Sequence, residues 1–440
     1  MRLLRPPYRA ALALSVALAA GCAPAATNTP AHTPMSPTAA PTTSRPVSWM
    51  VHADPNEVVA FQKVAEAFEA RHPGVSVTLV NIATGDADYF ARLGSDLVAG
   101  TPADVVYMDY RDAARYYANH AFQPITAQFA ASDVIAADDF YAPALNAYQW
   151  EGDQMCIPIN MSSLVTYYNK DLFDAAGLAY PKADWTWADF LTTAQALTQD
   201  TDGDGVVDQY GLGTATQLIR VLPFIWQNGG DFLTADGHDL ALDTPEALQA
   251  LQFFVDLQAV HHVTPGRIEE EAQSSQDRFE NGTLGMFFQS RRVTVALRAS
   301  AAFDWDVAPL PRQAQAATIL HSDGLCLTSA AAQPELGWQL IEFANSVEGQ
   351  QLMAATGRTV PSNRAVAESE YFLDPNVKPE HSRVWIDVIP GLRPAPVLAQ
   401  WEEIAGRADD EIERAFYGDI TAQAALDLIV ADAGPRLTED

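Results

Sequence analysis

Cysteine is scarce in this chain of 440 residues, which contains only Cys22, Cys156 and Cys326. These positions lie far apart, whereas zinc ligands come in short, regular spacings, so the sequence predicts no zinc site. In an oxidising compartment Cys156 and Cys326 can form a disulfide. As free thiols they would behave as small buried hydrophobic residues. Composition alone leaves both possibilities open.

Basic residues are also few: 26 lysines and arginines stand against 56 aspartates and glutamates, for a net charge of −30. An excess of negative charge opposes binding to nucleic acid and to anionic lipid surfaces. We therefore expect no nucleic-acid partner. Net charge does not select a small ligand, because a binding cleft is a local environment.

The common catalytic motifs are missing, since no H-E-x-x-H, Walker A, G-x-G-x-x-G or G-x-S-x-G sequence occurs. The single histidine pair, His261-His262, follows a predicted helix and is typical of a solvated surface. Carboxylates are so abundant that a glycosidase pair would leave no distinctive mark. We predict that the protein is not an enzyme and keep a secreted glycan-acting enzyme as the less favoured alternative.

One apolar run stands out, from Ala10 to Ala20, and it follows Arg2, Arg5 and Arg9. It is too short to span a hydrocarbon core, which takes about 20 residues. A basic segment, an apolar segment and small residues before a cut site predict a signal peptide over residues 1–21. The sequence Leu18-Ala19-Ala20-Gly21-Cys22 resembles the bacterial lipobox. That resemblance implies acylation of Cys22 and an extracytoplasmic protein anchored to the cell membrane. The alternative is an ordinary secretion signal with an incidental cysteine.

Residues 22–47 form the next segment, which after Cys22 is rich in Pro, Thr, Ala and Ser and lacks apolar periodicity. Such a composition predicts a disordered linker that holds a folded body away from the membrane. The remaining chain, roughly 390 residues, is long enough for two domains. No later segment is apolar enough to span a membrane, so the lipid would be the only membrane attachment.

The body begins with alternating strands and helices. A strand "VSWMV" precedes a helix for which Asp54 is a suitable N-cap, with Glu57 at the capping-box position. The strand "VSVTLV", a helix over about 86–99 and the strand "ADVVYMD" follow. This β-α-β-α-β order predicts a parallel sheet covered by helices, and the alternation continues along the chain. We therefore predict an α/β fold throughout.

Several segments, in the correct order, carry a more specific resemblance. They are "TYYNKDLFDAAGL" (166–178), "WTWADFLTTAQALT" (185–198), "DTDGDGVVDQYGLG" (200–213), "FENGTLGMFFQS" (279–290) and a long segment that begins "GLCLTSAAAQPELGWQLIEFANSVEG" (324–366). Together they resemble the family-1 extracellular solute-binding proteins of ABC importers, which include the maltose-type sugar binders.

The resemblance implies a two-lobe periplasmic-binding-protein-like fold of the class II type, with a ligand cleft between hinged lobes. Lobe 1 would comprise 48–157 plus about 322–366, and lobe 2 would comprise 158–321 plus about 367–440. It also implies a monomer that delivers its solute to ABC permease subunits. We expect the ligand to be a mono- or oligosaccharide. A peptide, a polyamine or a polyol phosphate in the same cleft is the alternative.

In that fold the segments around Cys156 and Cys326 are neighbours. The resemblance therefore implies that the two cysteines lie close enough to bridge the base of the hinge. A Cα separation above about 7 Å would exclude the bond.

Ligands of open α/β sheets lie at the carboxyl ends of strands, and sugars need both flat aromatic faces and polar side chains. The candidates at strand ends and lobe crossovers are Met50, His52, Asp54, Asp109, Tyr110, Arg111, Asn160, Ser162, Trp226, Asn228, Gln289, Arg291, Ser322, Asp323, Arg358 and Trp385. Asp54 is equally suited to cap a helix, and Trp226 is equally suited to a core.

The sequence departs from the family pattern after the strand that contains Met286. Members commonly have Gly-x-Trp there, with the Trp stacked on sugar, whereas this chain has Ser290 and Arg292. Arg291 and Arg292 favour an acidic or modified sugar if they face the cleft, and they have no such role if they face solvent.

The loop "DTDGDGVVD" has the ligand spacing of a calcium loop. Its candidate ligands are Asp200, Asp202, Asp204, the Val206 carbonyl and Asp208. The twelfth position, where a bidentate Glu is usual, is Gly211. We expect no required cofactor and predict a weak structural Ca²⁺ site at 200–208, with an acidic surface turn as the alternative.

Overall fold

The computed structural model describes residues 45–83 and 85–437. The predicted signal peptide, Cys22 and nearly all of the predicted linker lie outside the described residues. The first strand is Arg45–Val51, so it includes the last three residues, 45–47, of the predicted linker.

The first sheet has five strands, in the order Val75–Asn81, Arg45–Val51, Val105–Asp109, Asp323–Leu327 and Cys156–Pro158. The first three are parallel, as the β-α-β-α-β order predicts. Asp323–Leu327 returns from far along the chain and pairs antiparallel with both of its neighbours. The helix Pro334–Asn345 and the first helix pack on one face of this sheet, where Trp49 meets Phe61 edge-on at 5.0 Å between ring centroids.

The second sheet has four strands, in the order Trp305–Ala308, Val165–Asn169, Leu284–Gln289 and Tyr210–Gly213. Val165–Asn169 is antiparallel to both of its neighbours, and Leu284–Gln289 is parallel to Tyr210–Gly213. All four strands are almost wholly buried. The chain therefore forms two sheets, each built from different stretches of sequence.

A third, smaller sheet lies where the chain passes between the other two. Its strands are Val360–Pro361, Asn160–Ser163, Thr318–His321 and Leu392–Arg393, in that order. Asn160–Ser163 comes directly after one strand of the first sheet, and Thr318–His321 comes directly before another. We call this small sheet the crossover sheet.

Cys156 and Cys326 form a disulfide with their Cα atoms 4.4 Å apart. They are directly opposite in the antiparallel pair of Cys156–Pro158 and Asp323–Leu327, and both are fully buried. The bond therefore joins two neighbouring strands of the first sheet at the point where the chain leaves for, and returns from, the crossover sheet.

The helices begin and end at residues with clear physical roles. Asp54 accepts hydrogen bonds from the backbone N–H groups of Asn56 and Glu57, and Thr186 and Asp189 form a reciprocal capping box. The Glu57 side chain does not complete a capping box, because it turns inward to Arg358. The C-terminal segment forms two helices, Trp401–Phe416 and Ala422–Arg436, and the chain turns between them around Gly418, which has a positive φ of 82°.

The α-helices are Pro55–Arg71, Asp86–Val98, Tyr110–Ala118, Thr126–Ala130, Ala142–Asn146, Lys170–Ala175, Trp187–Leu197, Leu218–Gln227, Pro245–Ala259, Arg267–Ala272, Ser275–Glu280, Thr294–Ser300, Pro334–Asn345, Val347–Ala354, Arg364–Ala367, Val384–Asp387, Trp401–Phe416 and Ala422–Arg436. Short 3₁₀ turns occupy Ala137–Asp139, Arg291–Val293 and Ile389–Gly391, and Gln149–Trp150 pairs with Asp153–Gln154 in a hairpin.

Candidate functional site

A polar cavity of about 370 Å³ lies where strand ends of the first sheet meet the crossover sheet and the segment that follows Leu284–Gln289 of the second sheet. Eight of the residues predicted from sequence line it: His52, Asp109, Arg111, Asn160, Ser162, Ser322, Asp323 and Arg358. Binding sites in α/β proteins are expected at such strand ends. We call this the central cavity.

Asn160 and Asp323 form the floor of the central cavity. Asn160 Nδ2 donates to Asp323 Oδ2 at 2.9 Å, and the Asp323 backbone N–H donates to Asn160 Oδ1 at 3.0 Å. Burial raises the pKa of the Asp323 carboxyl, and the nearby charge of Asp109 raises it further, while the hydrogen bonds from Tyr107 and Asn160 oppose the shift. The floor therefore presents fixed amide and carboxyl groups to a polar ligand.

Arg358 is held by two carboxylates at one end of the cavity. Its Nη1 lies 3.0 Å from Asp54 Oδ2, and its Nε lies 2.9 Å from Glu57 Oε2. Glu57 is only 2% exposed, and burial raises its pKa from 4.5 to about 7 despite the opposing charge of Arg358. Glu57 lines the central cavity, and its capping-box spacing gave no sign of this position.

Asp109 and Arg111 form a two-bond ion pair at another wall. Arg111 Nε donates to Asp109 Oδ1 at 3.0 Å, and Nη2 donates to Oδ2 at 2.5 Å. The Asp109 carboxylate also accepts from the Arg111 backbone N–H, and so caps the helix Tyr110–Ala118. Burial alone would lower the pKa of the Arg111 guanidinium, but Asp109 raises it above its usual value.

Aromatic side chains supply apolar surface, although none of them was among the predicted ligand residues. Tyr89, Phe90 and Tyr107 line the cavity, and the Tyr89 hydroxyl donates to the Tyr107 carbonyl. His52 is also in the wall, with Nδ1 2.7 Å from the Ile82 carbonyl oxygen. The apolar C–H face of a sugar ring pairs with such aromatic surface.

Four predicted ligands lie instead in the hydrophobic core. Trp226 is 1% exposed, donates through Nε1 to Asp231 Oδ1 at 3.0 Å and is covered by Arg393. Trp385 is 1% exposed and packs against Arg291. Met50 and Tyr110 are likewise buried, and the Tyr110 hydroxyl bonds the Leu320 carbonyl. Large apolar side chains are better satisfied by packing than by facing a polar cavity.

The other misplaced candidates have local structural roles. Arg291 is 1% exposed and lies between the rings of Phe372 and Trp385. Asn228 donates to the Glu246 carbonyl, and Gln289 accepts from Arg220 at 3.1 Å. Asp54 caps its helix and holds Arg358 without lining the cavity itself. The structure therefore does not bring these candidates to the central cavity.

Sequence reasoning missed ten residues that line the central cavity: Glu57, Gly85, Tyr89, Phe90, Tyr107, Asp112, Ser290, Arg292, His321 and Thr359. Most of them are immediate neighbours of predicted residues. Ser290 and Arg292 occupy the two positions at which this chain differs from the Gly-x-Trp pattern of the family it resembles. That difference is the sequence signal that could have identified them as cavity residues.

A larger cavity of about 580 Å³ lies beside the second sheet and has a mainly apolar wall that includes Val307, Leu310 and Val388. Asp306, Glu380 and His381 come together at its edge, with ligand atoms within 4.8 Å of one another. His381 Nδ1 contacts Asp306 Oδ2 at 2.5 Å. Most of the central cavity's lining residues are polar or charged, whereas this larger cavity has a mainly apolar wall, so the central cavity is the better candidate for a polar solute.

The acidic loop brings together three of its predicted metal ligands. Carboxylate oxygens of Asp200, Asp202 and Asp208 lie within 4.8 Å of one another, whereas Asp204 is outside this group. The backbone N–H groups of Gly203 and Gly205 donate to Asp200, and Asp208 accepts from Thr201. Oxygen donors of this kind suit Ca²⁺.

Two lobes around a polar interior cavity, joined by a small crossover sheet, define a solute-binding protein of the two-lobe type. The profile of the bacterial extracellular solute-binding protein family matches residues 53–351. The chain belongs to this family, whose members bind solutes and are not enzymes.

Relatives agree with this assignment. An ABC substrate-binding protein of Listeria monocytogenes, solved in complex with cycloalternan, superimposes with a TM-score of 0.81 at 22% identity, covering 90% of this chain and 100% of that one. The arabinooligosaccharide-binding protein of Halalkalibacterium halodurans is 32% identical over 136 residues, 29% of this chain and 28% of that protein. The sn-glycerol-3-phosphate-binding periplasmic protein UgpB of Escherichia coli (strain K12) is 25% identical over 269 residues, 58% of each chain.

Within residues 45–83 and 85–437, no helix combines the length and the apolar character needed to cross a membrane.

Proposed function

We propose that the protein is the substrate-binding component of an ABC importer, that it captures a carbohydrate in the central cavity and that it delivers it to permease subunits. The observation that carries this proposal is the lining of the cavity. Fixed carboxylate, amide and guanidinium groups on Asp109, Asn160, Asp323 and Arg358 are suited to a hydroxyl rim. Neighbouring aromatic rings are suited to the apolar side of a sugar.

Relatives with carbohydrate ligands support the same class. The Listeria protein was solved with cycloalternan, and the Halalkalibacterium relative is named for arabinooligosaccharides. UgpB is named for sn-glycerol 3-phosphate, which makes a polyol phosphate the second candidate.

A thermal-shift screen of neutral sugars, polyol phosphates, amino acids and polyamines tests the proposal. A carbohydrate at 100 times its Kd should stabilise the protein by about 2.7 kcal/mol. Stabilisation by amino acids or polyamines alone would refute it.

The proposal includes closure of the lobes around the ligand. We assign lobe 1 to 48–157 plus about 322–366 and lobe 2 to 158–321 plus about 367–440. The crossover sheet supports these boundaries, because its strands follow or precede the points where the chain changes sheet. A few residues between packed elements can absorb a hinge rotation of this kind.

The proposal also includes anchoring through an acylated Cys22, in an otherwise soluble monomer. Its support is the lipobox-like sequence together with membership of an extracellular family. Fractionation of cells that express the protein tests it. The Cys22→Ser variant should move from the membrane to the soluble extracytoplasmic fraction, and an unchanged membrane fraction would refute lipid anchoring through this residue.

The acidic loop is proposed as a weak structural Ca²⁺ site. Asp200, Asp202 and Asp208, whose carboxylate oxygens lie together, would hold the ion. Asp204, which lies outside that group, and the Val206 carbonyl are the remaining ligands that the loop spacing predicts. An ion there would neutralise carboxylates crowded into one exposed turn and would stiffen the loop before Tyr210–Gly213. It has no role in ligand chemistry.

A further inference from the structure

Two nitrogen-bearing side chains beside the central cavity have polar atoms with no hydrogen-bond partner. His321 lines the cavity, and its Nε2 is buried without an acceptor or donor. Arg220 is 8% exposed, and its Nε and Nη1 are buried without an acceptor. Buried donors are normally satisfied, so unsatisfied ones next to a cavity indicate a group that arrives with the ligand.

Arg220 lies on the helix Leu218–Gln227. Within the described part of the chain, its one hydrogen bond to a side chain runs from Nη2 to Gln289 Oε1 at 3.1 Å. Gln289 is neutral, so this bond does not compensate the guanidinium charge. The nearby carboxylate is Asp409, which accepts from the Leu218 backbone N–H at 2.6 Å. The Arg220 cation therefore remains poorly compensated inside the protein.

Two further guanidinium groups stand close by. Arg292 lines the cavity with an exposed side chain, and no ion pair to it occurs among residues 45–83 and 85–437. Arg111 also lines the cavity, where Asp109 neutralises it. Burial together with Arg111 and Arg292 lowers the pKa of Arg220 to about 9. Burial and all three arginines hold the pKa of His321 well below 6.5, so its imidazole is neutral at physiological pH.

Positive charge is thus unevenly spread over the cavity wall. At the Arg358 end, Asp54 and Glu57 pair with the arginine. Around His321, Arg220 and Arg292 form no ion pair with a carboxylate of residues 45–83 and 85–437, and burial raises the pKa of the nearby Asp409 to about 6 despite Arg111 and Arg220. A purely neutral ligand would leave these two guanidinium groups without an ion-pair partner.

We propose that Arg220, Arg292 and His321 form a subsite for an anionic oxygen group, a phosphate ester or a carboxylate, on a hydroxylated ligand. This inference rests on the proposed function, because it names a substituent of the solute that the central cavity would bind. Guanidinium groups recognise such oxyanions through charge-assisted, often paired hydrogen bonds. The neutral imidazole adds one ring N–H as a donor.

The test uses inorganic phosphate and three matched sugars, glucose, glucuronate and glucose 6-phosphate, titrated calorimetrically at constant ionic strength. We expect phosphate to bind at millimolar concentration and the anionic sugars to bind about tenfold or more tighter than glucose. The tighter of the two anionic sugars identifies the carboxylate or the phosphate ester as the group recognised.

Three variants locate the effect. Arg292→Gln, at an exposed position, and Arg220→Gln should each remove the preference for the anionic sugars and weaken phosphate binding. Arg414→Gln, which changes an exposed arginine paired with Glu411, should leave both unchanged.

Absence of phosphate binding to the wild-type protein overturns the subsite. Equal binding of glucose and its anionic counterparts also overturns it, as does retention of the preference by Arg292→Gln. Each of these results leaves the proposed function standing if a neutral carbohydrate binds in the central cavity.

Discussion

Asn160 and Asp323 hold each other by two hydrogen bonds, although 163 positions separate them in the chain. Asn160 begins a strand of the crossover sheet, and Asp323 begins the strand that returns to the first sheet. The hydroxyl of Ser322, the residue before Asp323, donates to the Asn160 backbone carbonyl at 2.7 Å. Two lobe crossovers are thus tied together at the floor of the central cavity.

Replacing Asn160 should therefore affect stability. Asn160→Ala removes the amide that donates to the Asp323 carboxyl, and we expect the free energy of unfolding to fall by about 1–3 kcal/mol. Urea denaturation measures this change. The control Asn119→Ala, at an exposed helix end where the amide donates only to the Arg115 carbonyl, should change it by less than about 0.5 kcal/mol. Equal losses in the two variants would show that the pair is not a structural tie.

Glu57 should make stability depend on pH. Its pKa is raised from 4.5 to about 7, so the folded state binds the proton more tightly than the unfolded state does. This contribution is fully present below pH 4.5 and is lost as the pH rises to about 7. Burial is the main cause of the raised pKa of Glu57, the charges of Asp323 and Asp54 raise it further, and the charge of Arg358 lowers it.

The measurement is the difference in unfolding free energy between the wild type and Glu57→Gln across this pH range. The wild type should lose on the order of 3 kcal/mol relative to the variant, at up to about 1.4 kcal/mol per pH unit. Glu66→Gln, at an exposed position of the same helix, should track the wild type. A pH-independent difference for Glu57→Gln would contradict a raised pKa.

The disulfide should contribute strongly to stability. It closes a loop with a sequence separation of 170, and removing such a crosslink typically costs about 2–5 kcal/mol. In a form that carries Cys22→Ser, the double variant Cys156→Ala, Cys326→Ala should lose this amount in urea denaturation. Dithiothreitol should lower the Tm of the parent protein and leave that of the double variant unchanged. If reductant does not affect the parent, the bond does not contribute.

Calcium should stabilise the protein through the acidic loop. We expect the Tm to rise on addition of Ca²⁺ and to return on chelation, because carboxylates of Asp200, Asp202 and Asp208 are brought together there. Asp200→Asn with Asp202→Asn should abolish the response. Asp236→Asn, in another exposed acidic turn, should retain it. A calcium response that survives the loop substitutions would place the ion elsewhere.

The strand order explains which parts of the site could be predicted from sequence. His52 directly follows an apolar strand and Asp109 is the last residue of another, so the apolar residues of those strands show where they end. Asn160 begins a polar strand, and it was predicted from the lobe crossover that the family resemblance implies. The helix start at Asp54 is equally local, since the sequence predicts this residue as the N-cap and its side chain accepts from the backbone N–H groups of Asn56 and Glu57. Such features depend on neighbours within a few residues.

The errors come from contacts that local spacing does not encode. Arg291 and Arg292 are adjacent in one 3₁₀ turn, yet the first is buried between two aromatic rings and the second lines the cavity. The sequence around Trp226 is compatible with both a core and a cleft position. Its indole N–H donates to Asp231 and its ring lies under Arg393, and no sequence pattern predicts either contact. Glu57 turns inward only because Arg358, some 300 positions later, meets it.

Binding in the central cavity is tested most directly by blocking it. Thr359 lines the cavity, so Thr359→Trp should fill part of its 370 Å³, whereas Val98→Trp changes a residue that is 91% exposed elsewhere. The measurement is a calorimetric titration with the carbohydrate that best stabilises the wild type. The account predicts one binding site per chain in the wild type and in Val98→Trp, and loss of binding in Thr359→Trp. Undiminished carbohydrate binding by a folded Thr359→Trp variant would contradict it.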